Sequence, residues 1–281
     1  MKLAQGKTPS RRRSIPQQQL GVRLQALREE AGYTQETVAK LLRCHVVTLS
    51  KMENGRTSLR PAVVRELARI YEASAEEAER LVGLCDDGDG AGWTVPYRDA
   101  IAEPVSALAD IEARAGAIFD YAPELVPAAL QTSSYAEYLV NLATEIRAER
   151  RRQILGFKME RQQRLFTRNP RPSMKFVIHE AALRARVRSE RVMADQISHL
   201  VELSNQKDIE VRVWPFEAGP HRWMSGAFTL LQSGDNRYPH VVYTETQVDE
   251  RYVEKQEHVE QYARLFAQIR RKAVPIKEFP L

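Results

Sequence analysis

The chain has 281 residues, 43% of them hydrophobic and 28% charged, with a formal net charge of +5. That length accommodates two modest domains. Its apolar runs, such as the one at 125–130, are far too short to cross a bilayer, and no apolar segment follows the basic N-terminus, so a membrane span and export are both disfavoured and a cytoplasmic protein is expected.

Cysteine usage agrees. Cys44 and Cys85 are far apart and neither belongs to a CxxC pair, which argues against a disulfide framework or a zinc site. The charge is unevenly spread. Residues 1–85 hold 15 Lys/Arg against 9 Asp/Glu, the remainder 27 against 28, and no acid precedes Glu29. A positive first third on an otherwise neutral molecule is the electrostatic signature of a polyanion binder, although on charge alone a solvated tail fits as well.

In chain order, residues 1–16 are polar, basic and interrupted by Pro9 and Pro16, and are expected to form a disordered tail. Residues 17–85 read as a run of short helices. Leu20, Leu24 and Leu27 share a face of the first, which stops at Gly32. Thr34 is placed to cap a second helix, with Glu36 in its first turn and Val38, Ala39 and Leu42 as its apolar face. After a turn at 43–45, a third helix covers 46–52, with Leu49 and Met52 inward and Val46, Val47, Ser50 and Lys51 outward. Pro61 opens a fourth helix whose inner face is Val64, Leu67, Ala68 and Tyr71, and a fifth spans about 75–84.

Two stretches here resemble the Xre/Cro-repressor family of helix-turn-helix proteins. Arg28, Gly32, Thr34, Gln35 and Ala39 match R-x-x-x-G-x-T-Q-x-x-x-A, and Thr48-Leu-Ser-Lys-Met-Glu-Asn-Gly55 follows at the family's separation. The resemblance implies a five-helix, lambda-repressor-like domain whose third helix enters the major groove of double-stranded DNA. Placed in that register, Gln35 meets a phosphate or a base edge, Val46, Val47, Ser50 and Lys51 face the bases, and His45, Asn54 and Arg56 face phosphates. The valines equally fit a role in shielding the core, and Glu53 suits a structural partner for an arginine better than a base reader. One departure stands in the turn: many members have glycine where this chain has Arg43, which costs on the order of 1 kcal/mol if that residue needs positive φ.

Residues 86–101, rich in Gly and Asp, read as a linker, 102–274 as a second domain and 275–281 as a tail. Helical spacing covers 104–121 through Val105, Leu108, Ile111, Ala115, Ile118 and Phe119. Further helices are expected at 134–144 and 147–168, then a strand at 174–179, a helix at 190–205, strands at 209–214, 228–231 and 241–244, and a closing amphipathic helix at 255–272. These elements make an α+β domain with a small, mainly antiparallel sheet. The arginines at 147–152 read as a solvated helix face or a receiver for an acidic partner.

The second domain also resembles a known group. Leu125-Val-Pro-Ala-Ala-Leu-Gln-Thr132, Glu180-Ala-Ala-Leu-Arg184 and Val213–Leu231 are similar to the domain fused to Xre-type modules in the WhiJ-like, antitoxin-like regulators of actinobacteria. That likeness implies developmental or secondary-metabolite control together with a small partner protein encoded nearby. A homodimer reading an inverted repeat is expected, because one helix-turn-helix offers a small interface. Trp214, Phe216 and Trp223 fit either a ligand pocket, which would make the chain a small-molecule- or peptide-sensing regulator, or ordinary core. None of the six histidines shows HxxxH or HExxH spacing, and Ser225 lies outside a G-x-S-x-G context, so no metal, cofactor or catalytic residue is assigned.

Overall fold

Leu20, Leu24 and Leu27 are all buried along one stripe of α1 (Ile15–Glu30) in the computed structural model. The structure describes residues 15–57, 59–85, 91–97, 99–185, 187, 189–221, 224, 226–234, 240–246 and 249–280. These fall into two units that part between Gly92 and Trp93. The expected N-terminal tail lies outside the described residues, apart from Ile15 and Pro16, which belong to α1.

The first unit continues with α2 (Gln35–Leu41), α3 (Val46–Glu53), α4 (Pro61–Ile70) and α5 (Ala75–Gly83). Local chemistry sets the starts. The Thr34 and Ser74 hydroxyls accept the N–H groups of Thr37 and Glu77, each at 3.2 Å, and Pro61 opens α4. The stripes of all five helices meet in one core that includes Leu24, Val38, Leu49, Val64, Leu67 and Leu81.

The ends of four helices share a device. Tyr33, Cys44, Arg56 and Ala73 each donate back to the carbonyl five residues earlier, and the residue before each has positive φ: Gly32, Arg43, Gly55 and Glu72. This is the Schellman arrangement. Glycine adopts it without strain, whereas Arg43 (φ 52°) and Glu72 (φ 55°) do not. Glu72→Gly is therefore expected to stabilise the protein by about 0.5–1 kcal/mol, after the added freedom of glycine in the unfolded chain is deducted. An unchanged or lower urea midpoint in the variant would show that the left-handed residue carries no strain.

In the second unit the elements are α6 (Glu103–Glu112), β1 (Ala115–Ala122), α7 (Ser133–Leu142), α8 (Ala148–Thr167), β2 (Ser173–His179), α9 (Glu180–Arg184), α10 (Glu190–Leu203), β3 (Ile209–Trp214), β4 (Phe228–Ser233), β5 (Val241–Glu245), β6 (Glu250–Val253), α11 (Gln256–Lys272) and β7 (Val274–Pro275). The strands form a seven-stranded sheet ordered β6-β5-β4-β1-β2-β3-β7. β1, β2 and β3 are parallel at its centre, and the flanking pairs are antiparallel. Alternating side chains feed two cores. Ile118, Phe176, Val211 and Leu231 pack with Leu200 and Leu203 of α10, while Tyr121, Val177, Leu230 and Val242 pack with Val259, Phe266 and Ile269 of α11.

This sheet corrects the expectation of a small, mainly antiparallel one: it is larger and mixed. The expected helix at 104–121 is likewise two elements, α6 and the central strand β1. A central strand buried on both faces places apolar residues at consecutive positions, which periodicity cannot tell from a helix. The stretch expected as linker is structured from Ala91, where a 3-10 helix runs to Tyr97 and Trp93 stacks on Phe157 with centroids 5.2 Å apart. Nor is 275–281 wholly a tail, since Ile276 is buried in the core and β7 pairs with β3. In the 147–152 run, Arg150 and Arg151 donate to the backbone carbonyls of Ala100, Ala143 and Ile146, which makes them anchors of α8.

Candidate nucleic-acid interface

α3 is held from behind by a buried ionic network. Glu53, in its last turn, has a side chain only 1% exposed, and the Arg28 guanidinium of α1 that meets it is 9% exposed. Arg28 Nε donates to Glu53 Oε1 at 2.7 Å, and Arg28 also donates to the Tyr33 carbonyl at 2.8 Å. Gln35, the first residue of α2, donates its amide to Glu53 Oε2 at 2.7 Å. Three helices thus converge on one carboxylate. Burial alone would lower the Arg28 pKa, but the hydrogen bond and charge of Glu53 outweigh it and raise it. Tyr71, buried alongside, has its hydroxyl pKa raised by burial first and by the Glu53 charge second.

A steric contact fixes the same junction. A Cβ added at Gly21 would lie 2.5 Å from the Glu53 carbonyl oxygen and 2.6 Å from the Gly55 nitrogen. Both atoms are backbone, so any side chain there would force α1 and the end of α3 apart. Sequence reasoning passed over Gly21 because a glycine inside a helical stripe carries no motif.

The outer face of α3 is open. Val47 is 65% exposed and Val46 38%, and His45, Lys51, Asn54 and Arg56 are exposed as well. Ser50 is half-buried and bonded to its neighbour: Asn54 Nδ2 donates to the Ser50 carbonyl at 2.7 Å and to its hydroxyl at 3.3 Å. Gln35 is half-buried too, and its amide nitrogen serves Glu53. Leu41, which the sequence reading did not single out, is 54% exposed at the end of α2.

Cations divide sharply within this unit. Arg23, Arg28, Arg65, Arg69 and Arg80 all pair with glutamates. Lys40, Arg43, Lys51, Arg56 and Arg60 make no ion pair or side-chain hydrogen bond among the described residues, and all are exposed. Between Thr37 and Arg65 the only acid is Glu53, which is buried and already paired. The turn, α3 and the segment after it therefore present uncompensated positive charge to solvent. Sequence reading proposed Lys51 and Arg56 from this group and missed Lys40, Arg43 and Arg60, whose shared feature, the lack of a carboxylate partner, is visible only in three dimensions.

Residues 105–278 match the family model described as a domain of unknown function, DUF5753. The chain belongs to the DUF5753 family. A helix-turn-helix domain model matches residues 19–81, which runs from within α1 through most of α5, and marks this DUF5753 chain as a DNA-binding regulator. No curated protein and no solved structure matches it. No helix among the described residues is long and apolar enough to cross a membrane.

In the DUF5753 unit His221 meets the rings of Tyr121 and Trp214 edge-on, with centroids 5.0 Å apart in each case, and His179 meets Phe216 in the same way at 5.3 Å. Trp214 is buried and donates to the Gly219 carbonyl at 3.0 Å, and His221 bonds the Tyr121 hydroxyl at 2.7 Å. Phe216 is exposed, while Trp223 and Ser225 lie outside the described residues. Burial lowers the pKa of both His179 and His221. Among the described residues, no three His, Cys, Asp or Glu side chains are grouped to hold a metal ion.

Proposed function

We propose that this chain is a sequence-specific transcriptional regulator of the Xre/Cro type that lays α3 in the major groove of an inverted-repeat operator. Val46, Val47 and Lys51 read base edges. His45, Arg56 and the neighbouring free cations Lys40, Arg43 and Arg60 engage phosphates. Gln35, Ser50 and Asn54 set the pose of α3 with whatever hydrogen-bonding capacity their internal bonds leave over. The observation that carries this reading is that, among the described residues of the first unit, the cations around an exposed α3 have no ion pair while the other arginines all pair with glutamates.

The protein acts in the cytoplasm as a homodimer, with the DUF5753 unit supplying dimerisation and control by a small partner protein encoded nearby, as in the antitoxin-like regulators it resembles.

Lys51→Ala is expected to cost about 1–3 kcal/mol on the preferred operator and to relax preference at one base position. Arg56→Ala should weaken all duplexes alike and lower the slope of log affinity against log salt by about 1. Fluorescence anisotropy on operator and scrambled duplexes across a salt series separates the two effects. If both variants bind every duplex as the parent does, α3 does not enter the groove.

A further inference from the structure

Where the last turns of α11 meet β3, arginines outnumber carboxylates. Glu210 of β3 accepts from two of them. Arg270 of α11 donates Nε to its Oε2 at 2.8 Å, with Nη2 also 2.8 Å away, and Arg212 of β3 donates Nε to its Oε1. Arg212 also donates Nη1 to the Ala273 carbonyl, just past the end of α11, at 2.8 Å. Burial alone would raise the Glu210 pKa, but hydrogen bonds from Arg270 and then Arg212 outweigh it and hold this carboxylate below its ordinary range.

Arg271 is different. It is exposed and makes no ion pair or hydrogen bond among the described residues. Arg212, Arg270 and Arg271, with Ala267 and Gln268, line an open cleft of about 440 Å³. That volume lies within the range of small-molecule pockets, but the lining is polar where those are mostly apolar. Three guanidiniums share the one carboxylate of Glu210, and no acid lines the cleft itself. A cleft walled by one sign of charge concentrates ions of the other.

We propose that this cleft binds a small, multiply charged anion, a phosphorylated or polycarboxylate metabolite, held by all three guanidiniums. Among the described residues Arg212 keeps Nη2 and Arg270 keeps Nη1 unbonded, and Arg271 keeps all five of its N–H groups. Glu210 already holds the first two side chains in place, so little freedom is lost when a ligand engages them. Guanidinium forks match carboxylate and phosphate oxygens in pairs. An excess of two positive charges suits a dianion better than a single charge. A cation would meet three like charges, and an apolar ligand would find only Ala267 as an apolar wall. The site lies wholly in the second unit, and its chemistry stands whether or not the chain reads DNA.

All three tryptophans, Trp93, Trp214 and Trp223, lie after the division at Gly92, so tryptophan fluorescence of the full chain follows the second unit alone. Thermal unfolding is recorded in sodium pyrophosphate, sodium citrate and sodium chloride at equal ionic strength. Pyrophosphate, citrate or both should raise the melting temperature above the chloride value, by roughly 5–10 °C at about 100 times the dissociation constant. A response to one and not the other assigns phosphate or carboxylate as the group recognised. Two variants separate this site from the general stabilisation that such salts give any protein. Arg271→Gln removes an unpaired guanidinium, and Gln268→Glu sets a carboxylate among the arginines. Both positions are exposed, so both variants should melt within about 2 °C of wild type in chloride and lose most of the shift in the polyanion. The proposal is overturned if wild type responds to neither anion beyond chloride. It is equally overturned if a folded variant keeps the full shift, or if neither variant folds.

Discussion

Glu53→Ala is expected to destabilise the helix-turn-helix unit by roughly 3–5 kcal/mol, the usual consequence of removing one partner from a buried ion pair. The large size follows from what remains. The Arg28 guanidinium, 9% exposed, loses its buried counter-charge and keeps only the exposed Glu29, and the Gln35 amide loses its acceptor. The guanidinium is held away from bulk water, because Gly21 keeps α1 against the backbone of Glu53 and Gly55. A unit of this size has a total stability of about 4–10 kcal/mol, so the loss threatens folding itself. Far-UV circular dichroism in urea should show an early transition that the tryptophan signal does not share, and duplex affinity should fall with it. A double variant, Arg28→Met with Glu53→Leu, should recover much of the stability, since both charges leave together. If Glu53→Ala costs under about 1 kcal/mol, the network does not brace α3 and its exposed face needs another explanation.

The helix-turn-helix was legible because its determinants are local. Thr34 caps, Gly32 and Gly55 end helices, and leucines repeat at helical spacing within a few residues of one another. Even the strained turn at Arg43 followed from one side chain at one position. The outward positions Val47 and Lys51 could be assigned from phase alone. What α3 leans on could not, because Gly21 and Glu53 are 32 positions apart and only packing brings them together.

The second unit resisted for the opposite reason. β1 sits at the centre of the sheet between β4 and β2, so its outward-pointing positions are as apolar or as enclosed as its inward ones, and Ala115, Ile118 and Phe119 counterfeit a helical stripe. Short β6, Glu250–Val253, carries two charges in four residues and gave no strand signal. A polar row across one face of the sheet, Asp120, Thr229, Tyr243 and Tyr252 in cross-strand register, is assembled from β1, β4, β5 and β6, with Asp120 and Tyr252 more than a hundred residues apart. No spacing rule encodes such a row. Its members are individually unremarkable residues on separate strands, and their meaning lies in the register.

Asp120→Asn is expected to make the second unit more stable at neutral pH and to leave it almost unchanged in acid. Burial pushes the Asp120 carboxyl up to about 7; the Thr229 hydroxyl, which donates to it at 2.8 Å, pulls it down, Glu112 pushes it further up and Arg161 opposes that. An unfolded aspartate titrates near 3.9. The folded unit therefore holds this proton more tightly than the unfolded chain, and its stability declines as pH rises from about 4 to about 7 before levelling off. A shift of this size corresponds to at most roughly 4 kcal/mol. Asparagine keeps an oxygen for Thr229 and has nothing to titrate. Depressed groups act in the other sense. The carboxylates Glu180 and Glu210 and the imidazoles His179 and His221 favour the folded state as pH rises, so the wild-type curve alone is a sum of opposing slopes. The difference between variant and wild type isolates Asp120. Urea unfolding followed by tryptophan fluorescence should give a difference near zero at pH 4 that grows to a few kcal/mol by pH 8. A difference that stays constant across that range would mean that Asp120 ionises in the folded protein as it does in water, and that the polar row is solvated rather than enclosed.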